Sequence, residues 1–353
     1  MSSELRRLII LTEGYSEPVT AKTAVCMLRY CADEVVALLD STQASKTTAE
    51  VLEVGGETPF VSGLAEAPEA TALMIGIAPP GGKLPEAWRK IVLEALAKGM
   101  DVISGLHHFL SEDKEFLAAA QQSGASLVDV RKNDEHEVAN WSEVNEDCLR
   151  INTVGQDCSI GKMVVSLELT NAMKRQGVDA KFVATGQTGI LVEGEGCPID
   201  TVVSDFLSGA VEKLILANQH HEVMFVEGQG SIAHPRYSAV TLGLLHGCRP
   251  HGMILCYEVG RTVVSHMEQV PLQPLAKLRD TYEMIANLMH PSQVIGVAMN
   301  SRMVSAEEAE AERERVRNEL GLPVCDVIRH GPDELVEAVQ KLRAQLQPQL
   351  ATT

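Results

Sequence analysis

The run Gly155-Gln156-Asp157-Cys158-Ser159-Ile160-Gly161-Lys162 has the spacing GxxxxGK. Glycines at its ends permit left-handed backbone angles, so successive N–H groups can close around phosphate oxygens. Lys162 adds a point charge, and a helical pattern starting there adds the positive end of its dipole. An apolar strand pattern, Arg150–Val154, precedes the loop, and strand–loop–helix is the context this motif requires. The following residues depart from it. A loop that hydrolyses nucleotides carries Ser or Thr after the Lys, where the hydroxyl ligates Mg²⁺. Met163 and then Val164 stand here. Residues Gly155 to Met163 are therefore expected to hold a phosphorylated cofactor without cleaving it, and no metal is assigned.

Further polar groups fall at the ends of other apolar runs. Val223–Val226 leads into Glu227-Gly228-Gln229-Gly230-Ser231, so a strand delivers a carboxylate and then a glycine-rich turn. Glu227 could hold a metal, orient an amine or act as a base. His234 is the second catalytic candidate, and backbone N–H groups near Gly228–Gly230 are candidates to stabilise an oxyanion. Arg236, Lys22 and Arg302 are cations able to bind carboxylates. Ala184-Thr185-Gly186-Gln187-Thr188-Gly189 ends another strand, and Gln187, Thr188, Gln229 and Gly230 join the substrate-binding candidates. Asn300 closes a late strand with an amide that can meet a base edge. Each also has an ordinary reading: Asp200 as a helix N-cap, Lys22 as a solvated helix start, the segment 234–237 as a solvated loop.

The elements that would carry these groups alternate. Strands are expected at Leu8–Leu11, 34–40, 72–77, 101–104 and 126–130, with helices at 20–30, 84–98 and 111–123. Residues 131–149 are polar, acidic and without period, and read as a linker. Strands at 150–154, 181–184, 222–226, 252–256, 293–299 and 324–327 then alternate with helices at 162–176, 200–219, 274–289 and 306–320. Such alternation argues for parallel βαβ units, and ligands bind at the carboxyl ends of such strands, which marks Gly76 and Ser104-Gly105 as well. The expected organisation is α/β, with one domain over residues 1–135 and a second over 136–353.

Composition narrows the function. The 353 residues have a formal net charge of −18 and only 4% aromatics, which disfavours nucleic acid and anionic membranes as partners. No apolar run approaches ~18 residues, so no membrane span is expected. The 8 cysteines show no CxxC spacing and read as reduced thiols of a cytoplasmic protein. A homo-oligomer, dimer or tetramer, is the prior for an enzyme of this size.

Taken together, GQDCSIGKM, ATGQTGI, VEGQGSIAHPRYS and LLHGCRP resemble the DUF1611 family of bacteria and archaea, over nearly the whole chain. The resemblance implies an N-terminal Rossmann-like domain followed by a P-loop NTPase-like parallel-sheet domain similar to that of dethiobiotin synthetase and the cobyrinate amidases. By that similarity Asn300 would meet an adenine and Glu227 the reaction centre. It also implies D-glutamate N-acetyltransferase activity with acetyl-CoA as co-substrate, in D-amino acid catabolism. Two alternatives stay open: an ATP/Mg²⁺-dependent ligase or kinase of the dethiobiotin synthetase type, and a nucleotide-binding regulator.

Overall fold

Apolar runs as short as Leu8–Leu11 and Val223–Val226, buried at every position, need cover on both faces, which is the situation of a strand inside a parallel sheet. A computed structural model, which describes residues 6–350, contains two such sheets of six strands each. The chain divides into two units. One runs to Lys132 and takes back Ile190–Gly194; the other holds Asn133–Gly189 and the chain from Glu195 onward.

In the first unit β1 (Leu8–Leu11), α1 (Lys22–Tyr30), β2 (Val35–Leu39), α2 (Thr48–Leu52), β3 (Phe60–Val61), β4 (Ala72–Ile75), α3 (Arg89–Ala97), β5 (Asp101–Ser104), α4 (Lys114–Ser123) and β6 (Leu127–Asp129) follow in turn. The strands pair in parallel in the order β3-β2-β1-β4-β5-β6, which is the Rossmann order. Neighbouring side chains of β1 point to opposite faces: Ile9 and Leu11 join one core cluster, Leu8 and Ile10 the other. Two expected helices start late. Pro85 and a tight turn at Glu86–Trp88 precede α3, and Asp113 caps α4 by accepting from Glu115 N and Phe116 N.

The carboxyl ends of this sheet are occupied by the unit's own side chains. Asp40, at the position where a dinucleotide-binding sheet places its ribose-binding acid, accepts from Ser16 Oγ and from Thr42 N and Oγ1. Glu13 accepts from Ser41 N and Oγ. Gly76 answers a packing need, since a Cβ there would sit 2.5 Å from Ile10 Cγ2. Ser104 Oγ accepts from Leu106 N at 3.2 Å.

The second unit comprises β7 (Leu149–Gly155), α5 (Lys162–Arg175), β8 (Ala180–Val183), α6 (Gln187–Glu193), α7 (Ser204–Asn218), β9 (Val223–Val226), α8 (Ser238–Cys248), β10 (Gly252–Glu258), the hairpin β11 (Val263–Val264) and β12 (Met267–Pro271), α9 (Leu275–Ala286), β13 (Gln293–Asn300), α10 (Ala306–Leu320), β14 (Val324–Cys325) and α11 (Asp333–Leu350), the last turn of α6 excepted. Its sheet is parallel, in the order β14-β13-β10-β7-β9-β8. The central strand β7 lies between β9 and β10, which the chain reaches on opposite sides, so a crevice opens at its carboxyl end. Helix α6 begins in this unit; Leu191 near its end is buried in the core of the first unit, where Arg6 donates to Leu191 O.

Residues 131–149 are not a loose linker. Glu212 of α7 accepts from Asn140 N and Trp141 N, Gln219 accepts from Asn145 N, and Lys213 pairs with Glu135. Gly209 lacks a Cβ where the strap crosses, because one there would lie 2.0 Å from Glu137 O. The strap ends on fully buried Arg150, which reaches Glu146 Oε2 at 2.6 Å.

Glu146 also meets His251, His290 and Arg249 at the amino ends of β7, β10 and β13. Arg150 N donates to His251 Nδ1 at 3.0 Å, so in the neutral ring the proton is on Nε2, facing Glu146. That nitrogen is no metal ligand, and with two guanidiniums on the same carboxylate the cluster is an ion network. Among the described residues no helix is long and apolar enough to cross a membrane.

Candidate functional site

The loop after β7 is closed tightly by glycine. Gly161 has φ 105°, and the stem of Lys162 lies along Gly155 and Gly228. A Cβ on Gly155 would stand 3.2 Å from Lys162 Nζ, and one on Gly228 would stand 1.6 Å from Thr153 O and 3.1 Å from Lys162 Cδ. Lys162 Nζ is buried and donates to Asp157 O at 2.7 Å. Burial pushes the ammonium down, opposed by Cys256, Cys158, Asp157 and Glu227. The first hydroxyl on α5 is Ser166, and it is spent on Thr153 Oγ1 at 3.0 Å. No hydroxyl therefore stands where an NTP-hydrolysing loop presents its Mg²⁺ ligand.

Asp157 has no exposed surface. Its Oδ2 accepts from Arg261 Nη1 at 2.9 Å and from Ser265 N at 2.8 Å, and its Oδ1 from Cys158 N at 2.7 Å. Arg261 Nη1 also donates to Cys158 O, and its Nε and Nη2 hold Glu258. The sequence reading missed Arg261, from the turn between β10 and β11, and Ser265, from the turn between β11 and β12. A cavity of about 210 Å³ borders Gln156, Glu258, Arg261, Leu275 and Arg315. Gln156 donates through Nε2 to Gln273 O, Ser159 has φ 55° and is exposed, and Ile160 is buried. Met163, at the start of α5, is half-buried.

Glu227 stands one residue beyond β9, buried, with Oε2 accepting from Thr185 N at 2.9 Å and Gly186 N at 3.0 Å. Oε1 receives no hydrogen bond among the described residues. Burial pushes this carboxyl up to about 7; the two N–H groups and Lys162 oppose the rise and Asp200 adds to it. Gln187 and Thr188 begin α6 directly after those N–H donors. Gln229 Nε2 donates to Thr185 Oγ1, and Thr241 Oγ1 anchors Gln229 O. Gly230, at φ 61°, fits under Tyr237 and Thr241. So Glu227, Gln187, Thr188, Gln229 and Gly230 come together. Gly228 N, expected as an oxyanion donor, is taken by Thr153 Oγ1 at 3.0 Å. Asp200 sits in a tight turn, and α7 starts only at Ser204, so Asp200 is not an N-cap.

His234 is 1% exposed. Arg236 N donates to its Nδ1 at 3.1 Å, which leaves the proton of the neutral ring on Nε2, 3.7 Å from Asp157 Oδ1. Burial lowers its pKa, which favours that neutral form. His234 is thus set up as a donor, whereas Glu227 keeps an oxygen free to accept a proton. Asp157, Cys158 and His234 approach each other as a metal site would, but a protonated Nε2 and a carboxylate already holding Arg261 do not fit a cation.

The cations differ in setting. Arg236, in the turn before α8, and Arg302, past β13, are exposed; Lys22 begins α1 in the first unit. The amide of Asn300 serves the loop and its own turn: Nδ2 donates to Ile160 O at 3.4 Å, and Oδ1 accepts from Arg302 N.

Gly189 tests the placement of Glu227. A Cβ there would lie 2.3 Å from Glu227 Oε2 and 3.1 Å from Phe182. Gly189→Ala favours helix formation by up to about 1 kcal/mol yet drives the carboxylate off its N–H donors. A loss of turnover of up to about 10²-fold, the cost of misplacing a reacting group, is expected in steady-state kinetics.

Residues 137–336 match the family model described as a domain of unknown function (DUF1611_C), P-loop domain, and residues 41–133 match its companion, DUF1611_N, Rossmann-like domain. The chain is 38% identical over 277 residues to a D-glutamate N-acetyltransferase of Tritonibacter scottomollicae, covering 78% of this chain and 83% of that one. It is also 38% identical over 271 residues to a D-glutamate N-acetyltransferase of a Pseudoalteromonas species, covering 76% and 80%. The crystal structure of a DUF1611 family protein from Anabaena variabilis ATCC 29413 superposes with a TM-score of 0.90 at 34% identity, over 95% of this chain and 99% of that one.

Proposed function

The chain belongs to the DUF1611 family, and on that premise we propose that it moves an acetyl group from acetyl-CoA to the amine of D-glutamate. The relatives' activity supports the acyl transfer and the acceptor. The observation that carries the reading is Glu227, a buried carboxyl raised to about 7 with one oxygen open.

An ammonium has no lone pair, so the acceptor must lose a proton before it attacks. A carboxyl titrating near neutrality is matched to taking that proton, and an ordinary surface carboxylate is too weak a base. Glu227 Oε1 takes the first proton; the neutral amine attacks the thioester carbonyl, forming the N–C bond; the C–S bond breaks and the thiolate leaves; the nitrogen's second proton passes to the thiolate, giving the amide and free CoA. Gln187, Thr188 and Gln229 border the acceptor.

Lys162 and the N–H groups at the start of α5 suit the coenzyme's diphosphate. Gly228, the residue after Glu227, packs on the stem of Lys162, so the two lie close together. On this reading the pantetheine arm turns back over the loop to bring the thioester to Glu227. The test follows thiol release from acetyl-CoA with D- and L-glutamate. Thiol and N-acetyl-D-glutamate in equal amounts are expected. No turnover with any amino acid sinks the reading, and ADP release that requires Mg²⁺ would replace it by a ligase or kinase.

A further inference from the structure

Phosphate loops ordinarily gather cations: a lysine, and a metal ion held by the hydroxyl that follows it. This loop has lost the hydroxyl and has placed a carboxylate, Asp157, within itself. An unopposed carboxylate there would repel any phosphate. Asp157 is fully buried, so solvent does little to screen it.

One group answers that charge. Arg261 Nη1 donates at 2.9 Å to Asp157 Oδ2 and at 3.1 Å to Cys158 O, so it grips both the carboxylate and the main chain of the loop. Ser265 N, four residues on, donates to the same Oδ2. The segment from the β10–β11 turn through β11 is thereby fastened to the phosphate loop at two points, one on each side of β11, with Gly260 at φ 80° where the chain leaves β10. Arg261 is four-fifths buried, and its Nε and Nη2 are steadied by Glu258. The remaining Nη2 hydrogen has no partner among the described residues. His234 Nε2, buried and unpartnered, faces the other oxygen of Asp157 at 3.7 Å, so donors surround this carboxylate on every recorded side.

We propose that Arg261 takes the place of the metal ion: it cancels Asp157 and shapes GQDCSIGK into a metal-independent site for a diphosphate group. This rests on the reading above in taking that group to be the diphosphate of CoA. Arg261 is a positioning residue, acting on the ligand through Asp157 and the loop.

The experiment measures binding of inorganic pyrophosphate and of CoA by calorimetry in EDTA, for the unchanged protein, Arg261→Met, Asp157→Asn and the double variant. The unchanged protein binds both ligands without a divalent cation. Arg261→Met weakens both on the order of tenfold to a hundredfold, as expected when one partner of a buried charge pair is removed. The double variant recovers most of that loss, because the charge needing cancellation is gone. In kinetics Arg261→Met raises KM for acetyl-CoA and leaves KM for D-glutamate alone.

Thermal melts separate charge from folding. If the double variant melts with Arg261→Met yet still binds, the rescue is electrostatic and the proposal stands. Unchanged binding in Arg261→Met, no rescue by Asp157→Asn, or a need for Mg²⁺ in the unchanged protein overturns it. Acyl transfer with no CoA or pyrophosphate binding overturns the inference and leaves the transferase standing. Binding without acyl transfer removes the reading of function and keeps the role of Arg261.

Discussion

Glu227→Gln is expected to lower kcat by about 10²–10⁴-fold, the usual contribution of a positioned general base. Glutamine has nearly the same shape and can still accept from Thr185 N and Gly186 N, so the fold around the site is kept. The pH profile gives the more specific test. Glu227 works as a base only when deprotonated, and its carboxyl is raised to about 7. The rate for the unchanged protein should therefore rise with pH through about 7, and this limb should vanish in the variant.

Stability should move the other way. The folded state binds the Glu227 proton more tightly than the unfolded state does, so the protonated group stabilises the fold fully below about pH 4.5, and this stability is lost as pH rises through about 7. A shift from 4.5 to about 7 corresponds to on the order of 3 kcal/mol. At pH 8 Glu227→Gln should melt above the unchanged protein, and near pH 4.5 the gap should close. A variant less stable at pH 8 would show that the buried carboxylate is held by compensating contacts and is not poised as a base.

Much of this site was legible as pattern. Glycines in GxxxxGK and in Glu227-Gly228-Gln229-Gly230 mark close backbone approach, and the parallel sheet brings strand ends to one edge, so Lys162, Gln187 and Glu227 meet as expected. What escaped depends on contacts between segments far apart in sequence. Arg261 reaches Asp157 across 104 residues, and no spacing in its own neighbourhood announces it. The strap at 131–149 has no period, and it is ordered by Glu212 of α7, some seventy residues on. Helix α8 was hidden by Gly243 and Gly247, whose missing Cβ atoms let Leu207 and the Ser208 backbone of α7 approach. The tautomer of His234 escaped for a more local reason: the hydrogen bond from Arg236 N sets it, and residue types alone do not show that bond.

Lys162→Met should separate the two halves of the site. The first effect is on the acyl donor. A hydrogen bond to a charged group contributes about 1.5–3 kcal/mol, so KM for acetyl-CoA should rise roughly tenfold to a hundredfold, with pyrophosphate weakened in parallel. The second effect is on Glu227. Lys162 opposes the rise of its carboxyl pKa; without the ammonium the carboxylate is less favoured and the pKa climbs further. The limb of the pH profile near 7 should then shift to higher pH, at saturating acetyl-CoA. A methionine that raised KM and left that limb in place would mean that the loop and Glu227 are electrically independent. Folding should not suffer, because Lys162 is buried and burial opposes its charge, and an apolar side chain of similar length removes that cost. A variant that melts no lower than the unchanged protein yet binds its donor poorly would identify Lys162 as a residue kept for the ligand at the expense of the fold.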